Sequence, residues 1–80
     1  MKFRIQITRR DGIADPEGAT TARALRELGY TEVSGVRFGR DIIVDVDGDD
    51  EKESGKRLVE MCERLLANPV IEDYTVERVE

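Results

Sequence analysis

The sequence predicts one α+β domain: an antiparallel four-stranded sheet with two helices on one of its faces. Three observations predict it. The chain opens on alternating apolar residues, Phe3, Ile5 and Ile7, the period of a half-buried strand. Two later stretches space their apolar residues at helical intervals, the first entered through an Asp cap and left through a Gly, the second entered from an acidic loop and left through an Asn-Pro. Between and after them lie further extended runs, so the order reads β-α-β-β-α-β.

The first strand covers Phe3 to Ile7, with Arg4, Gln6 and Thr8 on its other face. Residues 9–14 form a loop carrying Gly12. Asp15 is a good helix N-cap, Pro16 suits the first helical position, and Glu17 complements the helix dipole. This helix runs to about Leu28 with Ala22, Leu25 and Leu28 on one face, and Gly29 ends it. Residues 33–38 and 41–47 read as two strands joined by a Gly39-Arg40 hairpin turn. Ile42, Val44 and Val46 point to one side, and Ile43 points to the other. An acidic loop at residues 48–53 leads into a second helix ending near Ala67, with Leu58, Cys62 and Leu65 on one face and Val59 and Leu66 beside them. Asn68 suits a left-handed C-terminal position, Pro69 stops the helix, and residues 72–79 form the last strand. The β-α-β-β-α-β order is that of ferredoxin-like folds. Residues 1–80 make a single domain, with no linker or low-complexity segment.

A chain of 80 residues buries only a little over ~60% of its unfolded surface, so its core is marginal, and domains of this size gain stability by oligomerising. The only aromatics are Phe3, Tyr30, Phe38 and Tyr74. The net charge of −5, from 18 acidic and 13 basic residues, argues against nucleic acid and against an anionic membrane surface. The single cysteine, Cys62, rules out an intrachain disulfide. No apolar run reaches membrane length, and the Met1-Lys2-Phe3-Arg4 start lacks the apolar core of a signal peptide, so a cytoplasmic protein is expected.

Little in the chain carries chemistry. It has no histidine, the usual base for a Ser or Cys nucleophile. Cys62 lies on an apolar helix face and reads as a small buried hydrophobe. The acidic run from Asp45 to Glu53 lacks the spacing of a calcium loop and reads as a solvated rim. No phosphate-binding glycine motif is present. The run Val33-Ser34-Gly35-Val36-Arg37-Phe38 is similar to the phosphate cradle of acylphosphatases, a family that shares the element order. There the run follows the first strand; here it follows the first helix, and Ser34 replaces a Gln. Arg37 and Arg40, flanking Gly39 at an exposed hairpin tip, are candidate contacts to an acidic or phosphate-bearing partner. Asn68, Pro69 and Tyr74 are candidate interface residues beside their helix-stop and core roles. Ile43, on the second sheet face, is the candidate for self-association.

Two blocks of sequence carry a family resemblance. One is Met61-Cys62-Glu63-Arg64-Leu65-Leu66-Ala67-Asn68-Pro69-Val70-Ile71-Glu72-Asp73-Tyr74. The other is Asp11-Gly12-Ile13-Ala14-Asp15-Pro16-Glu17-Gly18, followed by Ala24-Leu25, Leu28-Gly29-Tyr30, and Val36-Arg37 with Gly39 and a basic residue. In order and spacing they resemble PurS, the small-subunit family of phosphoribosylformylglycinamidine synthase in purine biosynthesis, over most of the chain. The chain departs from the family pattern at Ala14, where Leu is common, at Glu17, where Gln is common, and at Arg40, where Lys is common. These changes touch surface chemistry more than fold.

The resemblance implies a non-catalytic role within a ligase. The complete enzyme converts formylglycinamide ribonucleotide to the amidine with ATP and glutamine. A glutaminase subunit, PurQ, releases ammonia, and a synthetase subunit, PurL, activates the formamide oxygen with ATP and Mg. The small subunit bridges the two. The expectations are therefore no catalytic, cofactor or metal residue in this chain, PurL and PurQ as partners, and a homo-oligomer, dimer or tetramer. The alternatives are an acylphosphatase-like enzyme and a regulatory module that binds a small ligand between subunits.

Overall fold

The computed structural model describes residues 1–80. The elements are β1 (Lys2–Arg9), α1 (Pro16–Glu27), β2 (Gly39–Asp45), α2 (Glu51–Met61), a π-helical turn (Cys62–Leu66) and β3 (Glu72–Arg78). The sheet has three strands in the order β2-β1-β3, with β1 antiparallel to both neighbours. Opposed residues fix its two faces. Phe3, Ile5 and Ile7 stand beside Val44, Ile42 and Arg40 on one side and Arg78, Val76 and Tyr74 on the other. This face receives α2, and Phe3, Ile5, Ile7, Leu58, Cys62 and Ala67 make the core.

The second face is polar. Arg4 lies between Asp41 and Glu77, 3.4 Å from each, and ties the three strands together there. Ile43 is its one large apolar residue, 45% exposed. Ile42, Val44 and Val46 do point to the core side, as their alternation predicts. Both chain ends are bound in. The Met1 amino group donates to the Val46 carbonyl, and the Val79 amide donates to the Lys2 carbonyl.

Four expectations need correction. The fourth strand is absent, and Gly39-Arg40 is no turn. Gly39 lies opposite Thr8 inside β2, at an ordinary negative φ, and a Cβ there would overlap the Ile7 carbonyl oxygen. The chain therefore enters β2 at Gly39 without a hairpin turn, and residues 33–38 lie outside the sheet. They run back along α1 instead: the Arg26 guanidinium donates to the Val33 carbonyl at 3.0 Å, and the Phe38 amide donates to the Asp15 carboxylate at 2.8 Å. Consequently α1 is not on the sheet. It forms an arm with residues 33–38, packs extensively against no strand, and its buried Ala22 stands outside the main core cluster.

The second correction concerns the start of α2, which begins at Glu51, earlier than expected. The Asp50 carboxylate caps it by accepting from the Glu53 amide at 3.1 Å, so the acidic loop is shorter than 48–53. The third is its end. The α-helix stops at Met61 and the last turn is π-helical, which adds a residue to the turn. That rotation brings Leu66 to the core and swings Leu65 out to 83% exposure. The fourth is Asn68. No non-glycine residue has a positive φ, so it holds no left-handed position; its side-chain oxygen accepts from the Val70 amide at 3.1 Å.

The cap of α1 matches expectation: Asp15 accepts from the Gly18 amide at 2.9 Å, with Pro16 at the first helical position. Gly18 is buried because the Val36 carbonyl oxygen rests on its Cα, and a Cβ there would overlap that oxygen. Ala favours a helix over Gly by ~1 kcal/mol. The overlap outweighs it, so Gly18→Ala is expected to destabilise the arm by about 1–3 kcal/mol, the usual range for overpacking. Hydrogen exchange checks this. Protection should fall in α1 and residues 33–38 and hold in β1 and β3; unchanged protection in the arm would show that this contact does not seat it.

Candidate functional site

The expected interface residues fall into two groups. Arg40, Asn68, Pro69 and Tyr74 gather at one corner of the body, where the π-helical turn meets β3. The organising residue there is Glu72, which the sequence reading passed over. Its side chain is almost fully buried. Its Oε1 accepts from the Asn68 amide at 2.8 Å and from the Arg40 guanidinium at 3.0 Å. Asn68 reciprocates through its carbonyl, which accepts from the Glu72 amide at 2.8 Å. Arg40 also donates to the Leu66 carbonyl at 3.2 Å, at a helix end that lacks intrahelical donors. The four groups close a clasp that fixes the turn 67–71. A signal existed for it. Glu72, Tyr74 and Val76 share one face of β3, so a carboxylate occupied a core-facing period and needed partners.

The Asn68 amide lowers the Glu72 pKa most, followed by the Arg40 guanidinium; burial opposes them. Tyr74, two residues on, lies against the core, and burial followed by the nearby Glu63 carboxylate raises its pKa. The clasp leaves Leu65 and Val70 outside, both among the most exposed apolar side chains of the chain.

Gly39 adjoins Arg40 beside the clasp, and Arg37 lies elsewhere. Arg37 meets Asp11 at 2.6 Å and joins the two segments that connect arm to body. Arg37 and Arg40 are thus not a pair of free cations at a hairpin tip: each has a carboxylate partner, and Gly39 between them is a sheet residue. Asp15 works at the same junction. Its carboxylate accepts from Phe38 and Gly18, and these two bonds, Phe38 first, lower its pKa. The run resembling a phosphate cradle therefore directs its Phe38 amide and its Arg37 guanidinium at carboxylates of the same chain, which an anion would have to displace.

Cys62 is fully buried, and burial, then Glu63, raises its thiol pKa, the opposite of what a thiolate nucleophile needs. The acidic rim from Asp45 to Glu53 brings no three His, Cys, Asp or Glu side chains into metal-holding geometry. No helix is long and apolar enough to cross a membrane.

A family model described as PurS, phosphoribosylformylglycinamidine (FGAM) synthase, matches residues 2–80. Among curated proteins, the phosphoribosylformylglycinamidine synthase subunit PurS of Archaeoglobus fulgidus is 40% identical over 72 residues, 90% of each chain. The subunit of the same name from Methanothermobacter thermautotrophicus is 46% identical over 79 residues, covering 95% of this chain and 92% of the other. Among solved structures, Bacillus subtilis PurS superposes with a TM-score of 0.84 at 36% identity, over 95% of this chain and 94% of that one. A chain of the structure of PurLQS from Thermotoga maritima superposes with a TM-score of 0.89 at 35% identity, over 98% and 95% of the two chains.

The clasp sets a pH dependence. Glu72 and Asp15 have folded-state pKa values below their unfolded ones. The stability they contribute is present above the ordinary carboxylate range, about 4, and is lost as pH falls through that range toward the folded values. Glu72→Gln should lower stability at neutral pH and flatten its decline on acidification, read from urea midpoints between neutral pH and the carboxylate range. Glu72→Ala also strands the Asn68 amide and should cost on the order of 1–3 kcal/mol. An unaltered acid limb in Glu72→Gln would mean that the clasp contributes nothing to it.

Proposed function

This chain belongs to the PurS family of phosphoribosylformylglycinamidine synthase, and from that premise we propose that it is the non-catalytic small subunit of that ligase, working as a homo-oligomer. In this reading it bridges a PurQ glutaminase and a PurL synthetase in the conversion of formylglycinamide ribonucleotide to the amidine. ATP and Mg belong to the synthetase, and the isolated chain is inactive. The observation that carries the reading is the likeness, over 98% of this chain, to a chain of the PurLQS structure from Thermotoga maritima. The residues are compatible with it. The one thiol is sealed in the core, and the two arginines nearest the phosphate-cradle-like run are held by carboxylates. A free cysteine also suits the cytoplasm proposed as its compartment.

A bridge acts by proximity. It holds two active sites so that ammonia passes between them and does not escape to water. Reconstitution from three purified subunits tests this, with glutamine and ammonium salt compared as nitrogen donors. Omitting this chain should abolish glutamine-dependent synthesis and largely spare synthesis from high ammonium. Equal glutamine-dependent rates with and without it would end the bridging reading.

Arg37 supplies a contact test. Arg37→Glu sets a like charge against Asp11, but both side chains are largely exposed, so the cost to stability should stay within about 1 kcal/mol. Like charges across an interface cost several kcal/mol, so binding to the larger subunits should weaken. Normal assembly would remove Arg37 from the contact. Arg40→Glu is unsuitable for the same purpose, because it would set a second carboxylate against Glu72 and open the clasp.

A further inference from the structure

β3 has a single strand neighbour, β1, and its other edge is open. The register fixes which of its backbone groups are free. The Arg10 amide donates to the Ile71 carbonyl, and the Val79 amide donates to the Lys2 carbonyl. The directly bonded pairs therefore join even positions of β1 to odd positions of β3. Tyr74, Val76 and Arg78 turn their amides and carbonyls away from β1, and these three amides have no acceptor in the chain. At the Glu72 end the edge is closed. The Glu72 carbonyl accepts from the Arg10 guanidinium, and the Glu72 amide donates to the Asn68 carbonyl. The open stretch runs from Tyr74 to Arg78, with neither a proline nor a bulge to interrupt it.

The two faces of β3 define what an added strand must carry. Asp73 and Glu77 flank Thr75 on the polar face, while Tyr74 and Val76 pack against the core on the other. Side chains of an adjacent strand stand beside these in the same alternation. Asp73 and Glu77 each hold one arginine of the chain, Arg10 at 3.2 Å and Arg4 at 3.4 Å. Their carboxylates are still 67% and 59% exposed, which leaves room for a second cation. A second copy of this chain is the wrong occupant. Laid antiparallel about Thr75, the middle of β3, it sets Asp73 against Glu77 twice, and like charges directly opposed are destabilising.

We propose that the open edge of β3 takes up an extended segment of a larger subunit, in which basic residues alternate with apolar ones. The backbone of that segment pairs with Tyr74, Val76 and Arg78. Its basic side chains stand beside Asp73 and Glu77, and its apolar side chains continue the face of Tyr74 and Val76. Main-chain bonds hold the segment, and the alternation of charge selects it. The edge lies on the far side of β1 from β2 and the arm. The identity of the partner rests on the bridging reading; the chemistry of the segment rests on the edge alone.

Two experiments with full-length subunits test it. In the first, hydrogen exchange is run on this chain alone and on its complex with the two larger subunits, then quenched and read amide by amide. The Tyr74, Val76 and Arg78 amides should gain about tenfold protection or more in the complex. Those of Asp73, Thr75 and Glu77, already bonded to β1, should keep theirs. A contact made through side chains alone would not produce this alternation. A complex that forms with the three amides unchanged overturns the proposal and leaves the bridge standing; no complex at all overturns both. Protection of the same amides in the chain alone, rising with its concentration, would put a second copy on the edge and overturn the proposal too. In the second experiment, Arg78→Pro removes one outward amide where an edge strand tolerates proline, and Arg78→Ala removes the side chain but keeps the amide. Arg78→Pro should weaken binding to the larger subunits by about tenfold, and Arg78→Ala should bind as wild type does. Equal affinities of the two variants overturn backbone pairing, and if Arg78→Pro does not fold, the amide protection decides. Asp73→Asn with Glu77→Gln should weaken binding and flatten its salt dependence. An unaltered salt dependence overturns the basic character of the segment.

Discussion

The structure depends on one constraint, the pairing of Gly39 with Thr8 at the start of β2. The Ile7 carbonyl lies where a Cβ would be, so a side chain would overlap it, and a hairpin turn at Gly39-Arg40 would break their ladder with Thr8 and Ile7. Everything unusual about the molecule follows. Residues 33–38 are carried past the end of the sheet, α1 goes with them, and the sheet keeps three strands. The body must then build its core from one sheet face and a single helix. It does so with few residues, in which Ile5, Ile7, Leu58 and Cys62 are essentially without solvent contact. Removing a side chain of that kind leaves a cavity that so small a core has little freedom to close.

A second constraint fixes the far end of the body. The helix must release the chain into β3 on the same side of the sheet, within the turn 67–71. The π-helical turn shifts the helix face so that Leu66 takes the place that regular α-geometry would give to Leu65. The Glu72 carboxylate then satisfies the Asn68 amide and holds Arg40 across it, linking the two edge strands over the end of β1. A carboxylate this enclosed is tolerated because its bonds are charge-assisted and its position is defined by two backbone contacts with the same residue.

How much of this was legible in the sequence follows from what each signal reports. The strand period of β1, the presence of β3, the Asp15 and Pro16 cap, and the separation of Ile43 from Ile42 and Val44 are local, and each appears in the structure as read. Gly39-Arg40 misled because Gly is common both in tight turns and where two backbones approach closely, and only the neighbouring strand distinguishes them. Leu65 misled because an α-helical period was extended through a turn of different pitch. Glu72 was readable from its place in the Glu72, Tyr74, Val76 alternation, but its charged partner Arg40 comes from the opposite edge strand, distant in sequence. Arg37 and Arg40 looked like free cations for the same reason: Asp11 and Glu72, which neutralise them, are distant in sequence.

The division into arm and body bears on the bridging role proposed for this chain. The junction is narrow, two segments joined by the Asp15 carboxylate and by Arg37 with Asp11. A lone chain with that junction would be a flexible connector, and flexibility works against a bridge, whose effect depends on holding two sites in one geometry. The Asn68-Pro69-Val70 corner keeps one geometry independent of the arm: the Glu72 clasp fixes it within the body, and it projects Val70 into solvent.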